Sequence, residues 1–182
     1  WGNGNCTVAV NRRTNTEANV PQLRLAGELK GPFDHDVPVL AVRDANLKLK
    51  TVVFGYACHS TVLSFTQWSG DYPGFAQTAL EETNPGVTAM FWAGCGADQN
   101  PLPRRTVELA KKYGSRLATA VNSVLQGRMQ KVVGPLRTQY REIQGRTIAP
   151  KTQTELEIIQ RDGNQYEKPY AQYLLNQLDN KN

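Results

Sequence analysis

Long hydrophobic runs are missing from this sequence. No stretch of about 18 apolar residues occurs in it, so no helical membrane span is expected. Cysteine is scarce: Cys6, Cys58 and Cys95 are the only three, and none stands in Cys-x-x-Cys spacing. A cysteine-based zinc knuckle is therefore excluded, and at most one disulfide is allowed. Histidine is scarcer still, with only His35 and His59, of which one stands in a segment suited to ligation. Neither Gly-x-Gly-x-x-Gly nor Gly-x-x-x-x-Gly-Lys-Ser/Thr is present, which removes the usual phosphate-cradling loops. Basic residues outnumber acidic ones, 21 to 16, for a formal net charge of +5. They are scattered apart from the doublets Arg12-Arg13, Arg104-Arg105 and Lys111-Lys112, and no stripe of Arg and Lys interleaves with aromatics. Nucleic acid is accordingly not expected as a partner. There is no internal repeat, no initiator Met, and no basic-then-apolar leader in Trp1–Cys6. The sequence reads as a processed product or an internal segment.

What is present is an ordinary globular composition: 182 residues, 40% hydrophobic, 20% charged, enough for one compact domain or domain fragment with a core. Residues 1–36 are polar and turn-rich and read as an irregular lead-in, with one possible short strand at residues 7–10. Residues 37–145 carry the core sheet and helices. Strands are expected at residues 37–43 and 47–58, paired as a hairpin, the second nearly continuous in apolar residues as if covered on both sides. A helix follows at residues 72–82, stopped by Asn84-Pro85-Gly86, and then a strand at residues 87–92. The clearest pattern is the stripe Val107, Ala110, Gly114, Leu117, Val121, Val124, which predicts a long helix closed by Gly127. Residues 135–143 alternate as a half-wet strand would. Residues 146–182 read as a peripheral tail, with a strand or helix start at residues 152–159 and a helix at residues 170–178. The succession argues for an α/β (or α+β) fold, a mixed β-sheet flanked by helices.

Two segments place polar groups just after apolar strands, where α/β proteins put their sites. One runs from Tyr56 through Cys58, His59, Ser60 and Thr61 to Ser69 and Asp71; the other is Trp92 to Pro101. His59 can ligate a metal through a neutral ring nitrogen, although a lone histidine equally serves structure. A nucleophile–base pair of Cys58 or Ser60 with His59 is poor, because adjacent strand residues face opposite ways. Asp71 could orient His59, or simply cap the helix beginning at Tyr72. Gly94 and Gly96 could let backbone N–H groups approach an oxyanion beside Asp98.

The ordered segments Gly55 to Thr61, Ser69 to Phe75 and Phe91 to Pro101 resemble the N-terminal catalytic domain of the neutral/alkaline non-lysosomal ceramidases. Upstream, Ala9 to Arg13 and Gly31 to Leu40 match the same family's approach to its second metal histidine. The resemblance runs in order from about residue 5 to residue 145. It implies a zinc-dependent amidase that cleaves an N-acyl bond, with ceramide-like lipids or related small-molecule amides as substrate and zinc as cofactor. His59, in His59-Ser60-Thr61, matches a zinc-binding histidine. Ser69-Gly70-Asp71 matches a stretch that shapes the pocket floor, beside Tyr72 and Gly96. Asp98 and Asn100 match the segment bearing the family's active-site serine, with Asn100 in the serine's place. An asparagine cannot be a nucleophile, though its amide can donate to an oxyanion. The other zinc ligands of the family would come from N- and C-terminal parts outside these residues. The family likeness also implies an exported, periplasmic or extracellular protein that meets lipid at a membrane surface. Two other readings stand beside it. One is a lipid- or glycan-binding module whose cleft is lined by Tyr56, Phe65, Trp68, Tyr72 and Trp92. The other is a scaffold whose loops only cap helices.

Overall fold

A computed structural model describes residues 1–135, 137–145 and 149–179 of the chain. They form two compact units, Trp1–Gly134 and Pro135–Asn182, where composition led to the expectation of one. The break falls in residues 130–135, which are largely exposed and belong to no helix or strand.

The first unit is built on a mixed four-stranded sheet, ordered β1 (Gly2–Asn5), β3 (Asp36–Arg43), β4 (Leu49–Tyr56), β5 (Thr88–Ala93). β1, β3 and β4 pair antiparallel, whereas β4 and β5 run parallel, joined by the helix α2 (Asp71–Thr83). The expected hairpin, helix and strand are thus all present. Val52, Phe54 and Tyr56 of β4 point into a core shared with Tyr72, Ala76 and Leu80 of α2. The long helix α3 (Val107–Gln126) adds Ala110, Tyr113, Leu117 and Val121. Thr106 caps α3 by accepting the Leu109 N–H at 3.2 Å.

Two expectations for the sheet need correction. Helices cover only one of its faces within this unit: Leu40, Val42, Met90 and Trp92 of the other face are at least 36% exposed. The apolar run of β4 arises from its central place in the sheet rather than from cover on both sides. Nor is the stretch 1–36 irregular. β1, the short β2 (Ala9–Asn11), a 3-10 turn (Glu17–Asn19) and α1 (Val20–Ala26) lie within it. β1 carries no side-chain pattern because α3 packs onto its backbone. A Cβ at Gly2 would meet Val124 at 2.6 Å, and one at Gly4 would meet it at 2.9 Å. α1 was legible in principle: Pro21 stands at its start and Gly27, with φ 71°, ends it. β2 pairs antiparallel with β6 (Gln99–Pro101), the strand that ends the second polar segment.

The second unit is a pair of helices, α4 (Gln153–Asp162) and α5 (Glu167–Asp179), closed on Leu156, Ala171 and Leu175. α4 resolves the strand-or-helix choice at residues 152–159. It begins with a capping box in which Thr152 and Glu155 exchange side-chain and backbone hydrogen bonds. The strand expected at residues 135–143 does not form among the described residues, and Leu136 lies outside them. Neither sheet offers this stretch a partner strand, and an alternating sequence without a ladder stays open. Among the described residues no helix is long and apolar enough to cross a membrane.

Candidate functional site

Because β4 and β5 are parallel, with Tyr56 beside Ala93, their C-terminal ends lie together and both polar segments leave the sheet at one place. The loops are then stitched to each other. The Gly94 N–H donates to the Tyr56 carbonyl at 3.0 Å, and the His59 N–H donates to the Gln99 carbonyl at 3.0 Å. Gly96 fits because it has no side chain: a Cβ there would lie 2.7 Å from the Cys58 nitrogen.

His59 is half-buried, and its Nε2 lies 3.3 Å from the Ala97 carbonyl. A carbonyl only accepts, so Nε2 carries the proton in this contact and Nδ1 is the nitrogen left for another partner. Asp71 does not orient His59. Its carboxylate accepts the N–H groups of Val62 (3.2 Å), Leu63 (2.8 Å) and Tyr72 (2.7 Å), clamping the chain after His59 to the start of α2. Its own N–H donates to Ser69 Oγ at 3.0 Å. Tyr72 is a core residue rather than a pocket residue. It is fully buried, and its hydroxyl donates to the Cys58 carbonyl at 3.0 Å, fixing the backbone just before His59. Ser60 is exposed, and Thr61 Oγ1 is buried without a partner among the described residues.

Asp98 sits in a ring of amides. Asn11 Nδ2 donates to Asp98 Oδ2 at 2.8 Å and Gln99 Nε2 donates to Asp98 Oδ1 at 3.0 Å. Both amides also donate to the Pro32 carbonyl, each at 3.0 Å. Asn11 and Gln99 are each 3% exposed, so this ring is an interior strut that holds the Ala97 carbonyl in front of His59. Asn11 was not singled out from the sequence. The signal was there only as Asn11-Arg12-Arg13 within the family-like upstream segment. Asn100 is 5% exposed and stands opposite Val10 in the β2–β6 ladder. It shares the ladder face of a residue that packs with Val20 and Leu102. The oxyanion role expected of Gly94 and Gly96 is not free to operate: the Gly96 N–H donates to the Gly94 carbonyl at 2.8 Å, and the Gly94 N–H is taken as above. Cys58 is buried, and burial pushes its thiol up to about 12, so it is no nucleophile near neutral pH.

A cavity of about 410 Å³ opens at this end of the sheet, lined by Asp34, Asp36, Tyr56, Trp92 and Cys95 among others. The aromatics expected to line one cleft do not converge. Tyr56 and Trp92 reach this cavity, Tyr72 is in the core, and Phe65 and Trp68 stand on an exposed loop. Burial pushes the Tyr56 phenol far above its ordinary range. Its hydroxyl accepts the Ala9 N–H at 2.8 Å and donates to the Cys6 carbonyl, which ties β2 to β4.

For zinc, the fit is that of a single ligand position. His59 offers a half-buried imidazole oriented by a backbone carbonyl, the usual arrangement of a ligating histidine. Among the described residues no group of three or more His, Cys, Asp or Glu side chains converges on a common point.

No protein-family model matches the chain, and no curated protein sequence matches it. Solved structures do match. A ceramidase described as complexed with C2 is similar with a TM-score of 0.61 at 19% identity, over 74% of this chain and 23% of that one. The neutral ceramidase from Pseudomonas aeruginosa is similar with a TM-score of 0.58, also at 19% identity and with the same coverage. The chain thus spans less than a quarter of the ceramidases it matches. It has the α/β fold of one part of a neutral ceramidase.

Proposed function

We propose that this chain forms one wall of a zinc-dependent hydrolase that cleaves the N-acyl bond of ceramide-like lipids or related amides. The observation that supports the reading is the meeting of the His59 and Ala97–Asn100 loops at the C-terminal ends of β4 and β5, within a ceramidase-type fold. A zinc ion bound by His59 and by ligands from outside these residues would polarise the amide carbonyl and lower the pKa of a bound water. The chain's own residues prepare that place. The Ala97 carbonyl accepts a hydrogen bond from the His59 Nε2–H, which would leave Nδ1 to coordinate. Asp71, Tyr72 and the Asn11–Asp98–Gln99 ring hold the two loops at fixed separation. An exported location, where such a protein would meet lipid, belongs to the same proposal.

Asn100 favours a second reading. Its side chain is nearly buried and cannot act as a nucleophile, which fits a lipid- or glycan-binding domain that has kept the fold and lost the amidase chemistry. The two readings separate in an assay of fatty-acid release from an N-acylsphingosine by the longest polypeptide carrying this sequence. Hydrolysis that disappears in His59→Ala supports the first. Lipid binding without hydrolysis, unchanged in His59→Ala, supports the second.

A further inference from the structure

Between Lys50 and Asp71 the sequence contains no Asp, Glu, Lys or Arg. The last part of that stretch, residues 64–70, is exposed at every position. It carries Phe65, 45% exposed, and Trp68, whose relative exposure of 104% means that the indole stands as free as in an extended peptide. The loop is not slack at its base. Asp71 accepts the Leu63 N–H on one side and donates its own N–H to Ser69 on the other, and the Gly74 N–H reaches the Gly70 carbonyl at 2.9 Å. A short loop with pinned ends, a tryptophan at its outside and no charge has the chemistry of an interfacial anchor. An indole with an apolar body and one N–H donor suits the boundary between headgroups and acyl chains. A protein partner would instead be expected to seat its aromatic anchors in a desolvated centre with polar groups around it, and this loop offers no charged group of its own.

The surroundings favour an anionic surface. The Arg105 N–H donates to the Val62 carbonyl at 2.6 Å, so an exposed guanidinium leaves the backbone beside the base of the loop. The chain carries a net charge of +5. Basic residues near a lipid surface add attraction where the leaflet is negative.

We infer that the loop of residues 64–70 docks on a lipid surface, with Trp68 and Phe65 entering the headgroup region and His59 held a few residues away from it. The inference rests on the proposed lipid-amide function for its purpose, but its test does not depend on zinc or on hydrolysis.

The test uses the longest polypeptide carrying this sequence and two sets of vesicles, phosphatidylcholine alone and phosphatidylcholine mixed with phosphatidylserine. Vesicle flotation and the wavelength of tryptophan emission are read together. The mixed vesicles should carry the chain to the top of the gradient and move its emission to the blue, with phosphatidylcholine alone doing so more weakly. Trp68→Ala should weaken binding about tenfold or more and abolish the blue shift, as expected when a fully exposed indole is the group that becomes buried. Tyr166→Ala, which removes an exposed aromatic outside this loop, should bind as the unaltered chain does. Absence of binding to the mixed vesicles, or undiminished binding by Trp68→Ala, overturns the inference and assigns the aromatics to another kind of contact. Trp68 makes no core contact, so that variant folds; Phe65→Ser provides an independent repeat. If hydrolysis fails while vesicle binding persists, the zinc reading falls and this one stands.

Discussion

The carboxylate of Asp71 accepts three backbone N–H groups while its own backbone sits at φ 53°, a left-handed conformation that costs a non-glycine residue energy. The position is worth that strain because the carboxylate joins the end of the His59 loop to the first turn of α2. Asp71→Ala should destabilise the chain by about 3 kcal/mol or more, since it leaves buried donors without a charged acceptor. Asp71→Asn, which tolerates the left-handed backbone and keeps one acceptor oxygen, should cost about 1 kcal/mol. Urea unfolding of both variants checks the order; equal losses would contradict this account, because both the acceptor oxygen that Asn keeps and its tolerance of the left-handed backbone favour it over Ala. The sequence marked Asp71 as important but left its task open between cap and histidine partner. Its actual acceptor role depends on Val62 and Leu63 folding back, which no local pattern announces. The same holds for Asp98. A carboxylate beside a glycine-rich turn looks available for chemistry, and only the tertiary placement of Asn11 and Pro32 shows both its oxygens engaged.

The helices and strands that pack on the core were the legible part of the fold. The stripe of α3, the apolar run of β4 and the stop at Asn84-Pro85-Gly86 each repeat a period that packing requires. β1 was not legible, because its role is to present bare backbone to α3 and glycines carry no period. Residues 135–143 show the reverse error: the alternation was present but the partner strand was not. Within the stripe of α3, Gly114 does a different job from its neighbours. A Cβ there would lie 2.6 Å from Phe75 Cβ and 2.7 Å from the Tyr72 carbonyl oxygen, so α2 and α3 cross at this glycine. Gly114→Val should therefore force the helices apart and cost about 3 kcal/mol, while Gly127→Ala, beyond the helix end, should cost far less. Thermal unfolding of the two variants checks this. Because α2 begins at Asp71 and Tyr72, the Gly114 variant should also loosen the His59 loop, seen as faster amide exchange at residues 59–63.

Over 74% of its length the chain has the fold of less than a quarter of a ceramidase, and one face of its sheet is packed with helices while the other carries exposed Leu40, Val42, Met90 and Trp92. The family resemblance read from the polar segments agrees with the fold found by structural similarity, although at 19% identity the similarity speaks for architecture and not for chemistry. The division after Gly134 was not legible, because it is set by which apolar groups find each other and not by a linker composition. What the fold contributes to function under the present account is one oriented imidazole and the loops that hold it. The measurement that tests this most directly is zinc content, by elemental analysis, of the longest polypeptide carrying this sequence, beside its His59→Ala form and with α-helical content checked in both. The account predicts about one zinc per chain in the unaltered protein and its loss in the variant, as expected when one of about four ligands is removed. Zinc retained undiminished by His59→Ala, or no zinc in a folded unaltered protein, would contradict it.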